Sequence, residues 1–116
     1  MPNDVNTAFD PITLEVLWTR LISTVDEAAA ALVRTSFSTV VRDSHDFSCV
    51  ITDAAGRSLV QATDSIPSFI ATLPATIKHF LDVYPVDQLQ PGDVLITNDI
   101  WMGTGHLPDI SVGKPI

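Results

Sequence analysis

Apolar residues recur at helical spacing in the first third of the chain. They recur at intervals of four, three, four, three and four positions, at Leu14, Trp18, Leu21, Val25, Ala28 and Leu32. This spacing places them on one face of a helix. Asp10 offers a side-chain cap and Pro11 a favoured first helical residue. The pattern predicts a flexible segment over residues 1–9, then a helix over 11–37 that ends in the β-branched, Ser-rich stretch 36–41. The apolar stripe is expected to form core or a subunit contact.

Two β-rich runs follow, over residues 46–52 and 57–62. A short connection separates them, with Asp53 first and Gly56 last. Gly56 is suited to a positive φ, so the pattern predicts a β-hairpin. Cys49 falls inside the first predicted strand. A lone cysteine at such a place is usually a small buried apolar residue.

The second half of the chain predicts another helix and two short strands. Pro74 and Pro85 delimit a helix over 73–84. A turn at Pro91 and Gly92 leads into the apolar run 94–97, which predicts a short strand buried on both faces. A loop over 98–109 precedes a further strand at 110–112. The expected fold class is α+β or α/β: a long N-terminal helix, a β-hairpin, a second helix, and a buried strand leading to a Gly-rich His-x-x-Asp loop.

The composition of the chain excludes several classes of protein. The chain has 116 residues, 46% of them apolar, which is enough for one domain with a core. Six Lys and Arg against fourteen Asp and Glu give a net charge of −8, which argues against binding to nucleic acid or an anionic membrane. One cysteine excludes an internal disulfide framework and a multi-cysteine zinc site. Without a secretion signal or a membrane-length apolar run, a cytoplasmic location is expected. The apolar surplus indicates burial against a larger subunit or complex.

The loop over residues 98–109 holds the candidate chemistry. His106 and Asp109 stand three residues apart, and an imidazole nitrogen and a carboxylate oxygen can bind one divalent ion. Asp99 would be a third ligand or would orient the histidine. Three further residues are candidates for substrate contact or loop conformation: Asn98, Gly103 and Gly105. A structural alternative stays open, because an Asp before a Gly-rich turn often caps backbone amides. Two protein ligands are also fewer than a catalytic metal centre usually has.

Six segments together resemble the hydantoinase B/oxoprolinase family over residues 10–116. They are Asp10–Val16, Arg34–Ser38, Asp46–Cys49, Asp53–Arg57, Pro91–Val94 and Asn98–Asp109. Members of this family are several times longer than this chain. The resemblance therefore implies that residues 10–116 are the N-terminal part of a hydantoinase B-like domain, with a short stand-alone relative as the alternative.

The resemblance also implies an activity. The chain would belong to a hetero-oligomeric, ATP-dependent cyclic amidase of the hydantoinase or 5-oxoprolinase type. A hydantoinase A-like partner would bind ATP and Mg²⁺. His106 and Asp109 fall on the family's metal-ligand motif, for Zn²⁺ or Mn²⁺, and no catalytic residue is assigned.

Two alternatives stay open. Ile100 stands where many family members have proline, and Phe69 stands where many have histidine. In these two positions the chain resembles the carboxylase-like branches of the family, so the first alternative is a subunit of an ATP-dependent ketone carboxylase. Alternatively, the chain would be a non-catalytic assembly subunit whose long helix serves docking.

Overall fold

The computed structural model describes residues 9–116, so the predicted flexible segment lies outside the described residues except for Phe9. The elements in chain order are α1 (Pro11–Thr35), α2 (Thr39–Ser44), β1 (Val50–Thr52), β2 (Ser58–Gln61), α3 (Thr72–Val83), β3 (Leu95–Thr97) and β4 (Ser111–Gly113). Single 3₁₀ turns lie at Pro67–Phe69 and Val86–Gln88. Strands β1 and β2 form one antiparallel pair, and β3 and β4 form another. The fold is therefore α+β, and the α/β alternative is not met within residues 9–116.

Helix α1 begins as its sequence predicts. An Asp10 carboxylate oxygen accepts hydrogen bonds from the backbone N–H groups of Ile12 and Thr13, both at 3.1 Å. These bonds satisfy two of the donors that a helix start leaves unpaired. The helix ends at Thr35, two residues before the predicted end, and Ser36 already has an extended backbone.

The sequence predicts no element between α1 and the first hairpin, but part of this stretch forms α2. The Ser38 hydroxyl accepts a hydrogen bond from the Val41 N–H and so caps a helix of six residues. The helix ends at His45, which has a left-handed backbone with φ of 52°. A local side-chain cap here outweighs the weak helix propensity of the β-branched residues.

The buried core lies between the C-terminal half of α1 and the first hairpin. Its most buried apolar residues are Val25, Ala29, Phe47, Val60 and Ala62. The hairpin register pairs Ile51 with Val60, and an irregularity follows at Thr52. The predicted hairpin is confirmed, although both strands are shorter than predicted. Cys49 lies one residue before β1 and not inside it, and it is partly buried against the core.

Helix α3 covers one face of the second hairpin. A methyl group added at Gly113 would lie 3.0 Å from Ile77 and 3.3 Å from Phe80, so this glycine allows β4 to approach α3 closely. The opposite face is open. Ile96 and Val112 pair across the strands and are 64% and 59% exposed. The prediction that residues 94–97 are buried on both faces is therefore wrong, since among residues 9–116 only one layer packs on this sheet.

The N-terminal half of α1 lies outside the core. All residues from Pro11 to Arg20 are exposed, among them Ile12, Leu14 and Trp18. Of the predicted apolar stripe only Leu21 and Val25 pack in the core, whereas Ala28 and Leu32 are exposed. The C-terminal half of α1 contributes Ala29 and Val33 to the core instead. Among the helices of residues 9–116, none combines the length and the hydropathy that a bilayer crossing requires.

Candidate functional site

The candidate loop connects the two strands of the second hairpin. Thr97 and Ser111 form the last strand pair, so the loop leaves and re-enters the sheet at the same end. The sequence predicts that the strand before the loop is buried on both faces, but in the structure one of its faces is open. The loop is held instead at its base by antiparallel pairing, and its own hydrogen bonds determine its conformation.

Asp99 organises the first arm of the loop. Its Oδ1 accepts hydrogen bonds from the N–H groups of Trp101, at 2.7 Å, and Met102, at 3.0 Å. Its carbonyl accepts from the Gly103 N–H at 2.9 Å. The backbone-capping alternative raised for Asp99 is thus present in the structure. A metal-ligand role for Asp99 stays a prediction.

The two loop glycines differ in what they provide. A methyl group added at Gly103 would lie 2.9 Å from the Asp99 carbonyl oxygen, so the turn closes too tightly for a side chain there. Gly105 has a φ of +82°, a left-handed conformation that L-residues with side chains rarely adopt. Both glycines shape the backbone ahead of His106. Their contact with a substrate stays a prediction.

His106 and Asp109 lie on the returning arm of the loop. The Asp109 N–H donates to the His106 carbonyl at 3.1 Å, which closes a turn between them. The Asn98 side-chain amide donates to the Leu107 carbonyl at 3.2 Å. His106 is exposed and Asp109 is partly exposed. Within residues 9–116 neither side chain takes part in a hydrogen bond or ion pair, so both are available to a ligand.

The donor atoms of this pair suit a divalent ion, because imidazole nitrogen and carboxylate oxygen both bind zinc and manganese. The number of donors falls short. In the described part of the chain, no three His, Cys, Asp or Glu side chains converge as a metal site. Residues 9–116 therefore offer two ligands of suitable chemistry, and a complete centre needs at least one more from elsewhere.

The other titratable candidates have structural roles. Burial raises the pKa of the Cys49 thiol, which lowers its reactivity as a nucleophile. His45 caps α2 and lies 3.9 Å from the Asp64 carboxylate, and Arg42 lies 3.6 Å from Asp43. The polar segment before the hairpin therefore makes local charged contacts and caps α2.

A cleft that the sequence analysis missed lies between α1 and the residues after β2. Its volume is about 510 Å³, and its polar lining includes Asp26, Arg34, His45 and Asp64. These residues come from separate parts of the chain, so no local motif could have revealed the cleft. It does not include His106 or Asp109.

The chain is similar to known proteins over nearly its whole length. A family model described as hydantoinase B/oxoprolinase matches residues 10–116. The chain is 31% identical over 109 residues to the B subunit of a putative D-/L-hydantoinase of Pseudomonas sp. (strain NS671), covering 92% of this chain and 18% of that protein. It is 36% identical over 106 residues to a 5-oxoprolinase of Saccharomyces cerevisiae, covering 91% and 8%. With a 5-oxoprolinase of Dictyostelium discoideum it shares 30% identity over 112 residues, covering 97% and 9%.

No solved structure matches the chain. The chain spans less than a fifth of the length of each of these three relatives. The family model includes the whole loop from Asn98 to Asp109 as well as α1 and both hairpins. The chain therefore belongs to the hydantoinase B/oxoprolinase family.

Proposed function

We propose that this chain forms the N-terminal region of a B-type subunit in an ATP-dependent cyclic amidase. The observation that carries the proposal is the family match over residues 10–116. The relatives above are named for hydantoinase and 5-oxoprolinase activity. Hydantoin and 5-oxoproline are both cyclic amides, so these names favour ring opening over the ketone carboxylase alternative.

In this proposal His106 and Asp109 hold a divalent ion, Zn²⁺ or Mn²⁺, together with ligands from outside residues 9–116. Such an ion would polarise a carbonyl or phosphoryl oxygen, or lower the pKa of a bound water. The chain's own contribution is the pair of donors and the backbone that presents them. The closed turn between His106 and Asp109 keeps both residues on one short arm of the loop.

The partner in this proposal is a hydantoinase A-like subunit that binds ATP and Mg²⁺. Activation of the amide oxygen by phosphoryl transfer on the partner would make the ring carbon more electrophilic. The B-type subunit would then complete opening of the ring. The hetero-oligomer would thus divide activation and ring opening between its two kinds of subunit.

The test uses the assembled complex with hydantoin or 5-oxoproline and ATP. His106→Ala and Asp109→Asn should each lower ATP-dependent ring opening by about 100-fold or more, because each removes a proposed ligand. His79→Ala on α3 is the matched histidine control and should keep its activity. Size-exclusion chromatography should show intact complexes throughout. Normal ring opening by an intact His106→Ala complex would contradict the proposal.

A second candidate is a non-catalytic assembly subunit, and the exposed half of α1 favours it. Leu14 and Trp18 are each 49% exposed on that half, where core packing does not account for them. Under this function, Leu14→Ser combined with Trp18→Ser should release the chain from its complex, while Thr19→Ala should not. His106→Ala should then leave activity unchanged. Loss of activity in an intact His106→Ala complex would exclude this candidate.

A further inference from the structure

Among the hydrogen bonds that the structure describes within residues 98–109, the one that spans the most residues joins the base of the loop to its returning arm. Asn98 is the first residue after β3, and its side-chain amide reaches the Leu107 carbonyl nine residues later at 3.2 Å. Leu107 lies directly between His106 and the Pro108–Asp109 segment. The bond therefore reaches the part of the backbone that carries both proposed ligands.

The two arms of the loop are held by different groups. Asp99 and its hydrogen bonds to Trp101 and Met102 fix the first arm. On the returning arm, the turn that ends at Asp109 is local and does not attach that arm to the sheet. The Asn98 bond supplies that attachment, since Asn98 continues directly from β3.

We propose that Asn98 is a positioning residue, whose amide holds the Leu107 carbonyl and so orients His106 and Asp109 for a shared divalent ion. This inference rests on the proposed function for the metal and on the structure for the hydrogen bond. Asn98 does not touch the ion in this arrangement. It acts by reducing the number of conformations from which the two ligands must be brought together.

An exposed hydrogen bond of this kind contributes little to global stability. Its loss should act locally, on the order of the returning arm and on ion affinity. The Asn98→Ala variant removes the donor. The Asn98→Asp variant keeps the shape, removes the donor and adds a negative charge that would by itself attract a cation. A loss of affinity in both variants would therefore not come from electrostatics.

The first measurement is the backbone order of the ¹⁵N-labelled chain by NMR relaxation, without metal. In both Asn98 variants the order parameters of residues 106–109 should fall, while those of residues 99–103 should stay unchanged. Thr104→Ala is the matched loop control, because the Thr104 side chain makes no hydrogen bond within residues 9–116. Unchanged order at residues 106–109 would overturn the proposal.

The second measurement is a Mn²⁺ titration of the assembled complex without ATP, because the complex can supply the ligands that lie outside residues 9–116; free Mn²⁺ is followed by electron paramagnetic resonance. The apparent affinity should be about tenfold lower in complexes that carry either Asn98 variant than in the unmodified complex. Equal affinity in the variants would overturn the positioning role. Unchanged affinity in an intact His106→Ala complex would contradict the proposed metal function instead, and the relaxation result would still decide whether Asn98 holds the arm.

Discussion

The Asp26 carboxylate accepts two hydrogen bonds from one residue, Thr63. The Thr63 backbone N–H donates at 2.7 Å and its hydroxyl donates at 2.9 Å. Asp26 lies in the middle of α1, and Thr63 lies two residues after β2. This pair of hydrogen bonds between distant parts of the chain fixes the hairpin exit against the helix, next to the buried core at Val25.

Replacing Asp26 should loosen that connection. Asp26→Ala is expected to lower the free energy of unfolding by about 1 kcal/mol, because the lost bonds are charge-assisted but exposed. Glu27→Ala, one residue away on the exposed side of the same helix, should change it by less than about 0.5 kcal/mol. Urea denaturation measures both. Equal effects of the two variants would show that the bonds to Thr63 add nothing.

Two valines on α1 differ in how deeply they are buried. Val25 is 2% exposed, whereas Val16 is 50% exposed. Val25→Ala should therefore destabilise the chain by about 2 kcal/mol, through lost burial and the cavity left behind. Val16→Ala should have an effect below about 0.5 kcal/mol in the isolated chain. A comparable loss of stability in both variants, measured by chemical denaturation, would contradict the observed position of the core.

A comparison of two glycines with positive φ distinguishes the stability cost of backbone strain from that of close packing. Gly92 has a φ of +97° with nothing within 4 Å of an added methyl group. Gly56 has a φ of +78°, and an added methyl group would lie 2.8 Å from Lys78 on α3. Gly92→Ala should cost about 1 kcal/mol of stability, from strain alone. Gly56→Ala should cost about 1 kcal/mol more, because the Lys78 side chain must also shift away from the added methyl group. Thermal and urea unfolding of the two variants test the difference.

The pKa of Asp53 should lie below the ordinary value of about 3.9 for an aspartate. The Arg57 backbone N–H, at 2.9 Å from Oδ1, is the main cause of the lowered pKa, and the Arg57 side chain adds to it. In Arg57→Ala the pKa should stay below the ordinary value, because the backbone donor remains. NMR titration of the side-chain carboxyl carbon gives this pKa, and a midpoint at or above the ordinary value would contradict the prediction.

The lowered pKa of Asp53 also makes the stability of the folded chain depend on pH. A carboxylate with a lowered pKa in the folded state stabilises that state above its unfolded pKa. The stabilisation is lost as pH falls from about 3.9 through the lower folded pKa. The hairpin of Asp53→Asn should therefore be less stable than the unmodified hairpin at pH 6. The two should converge as the pH falls below the folded pKa, which unfolding curves across this range would show.

Features decided by neighbouring residues were predictable from the sequence. The Asp10 cap, the start of α1 and the turn from Asp53 to Gly56 all depend on hydrogen bonds spanning a few residues. The candidate pair His106 and Asp109 was identified by its residue types and its resemblance to a family. Helix α2 was not predicted, because its β-branched residues have weak helix propensity, although its N-cap Ser38 is a residue type that often caps helices.

What the sequence by itself determined is therefore most of the local elements and the family, while the two proposed ligands stay a prediction. Apolar composition alone could not show which faces of residues 94–97 are covered, because burial depends on whether another layer packs there. Only the tertiary structure decided that Ile96 is exposed and that Gly113 lies against Phe80. It likewise decided that Asp26 binds Thr63 and Asn98 binds Leu107. Such contacts form when the folded chain brings separate segments together, and no periodicity or spacing along the sequence records them.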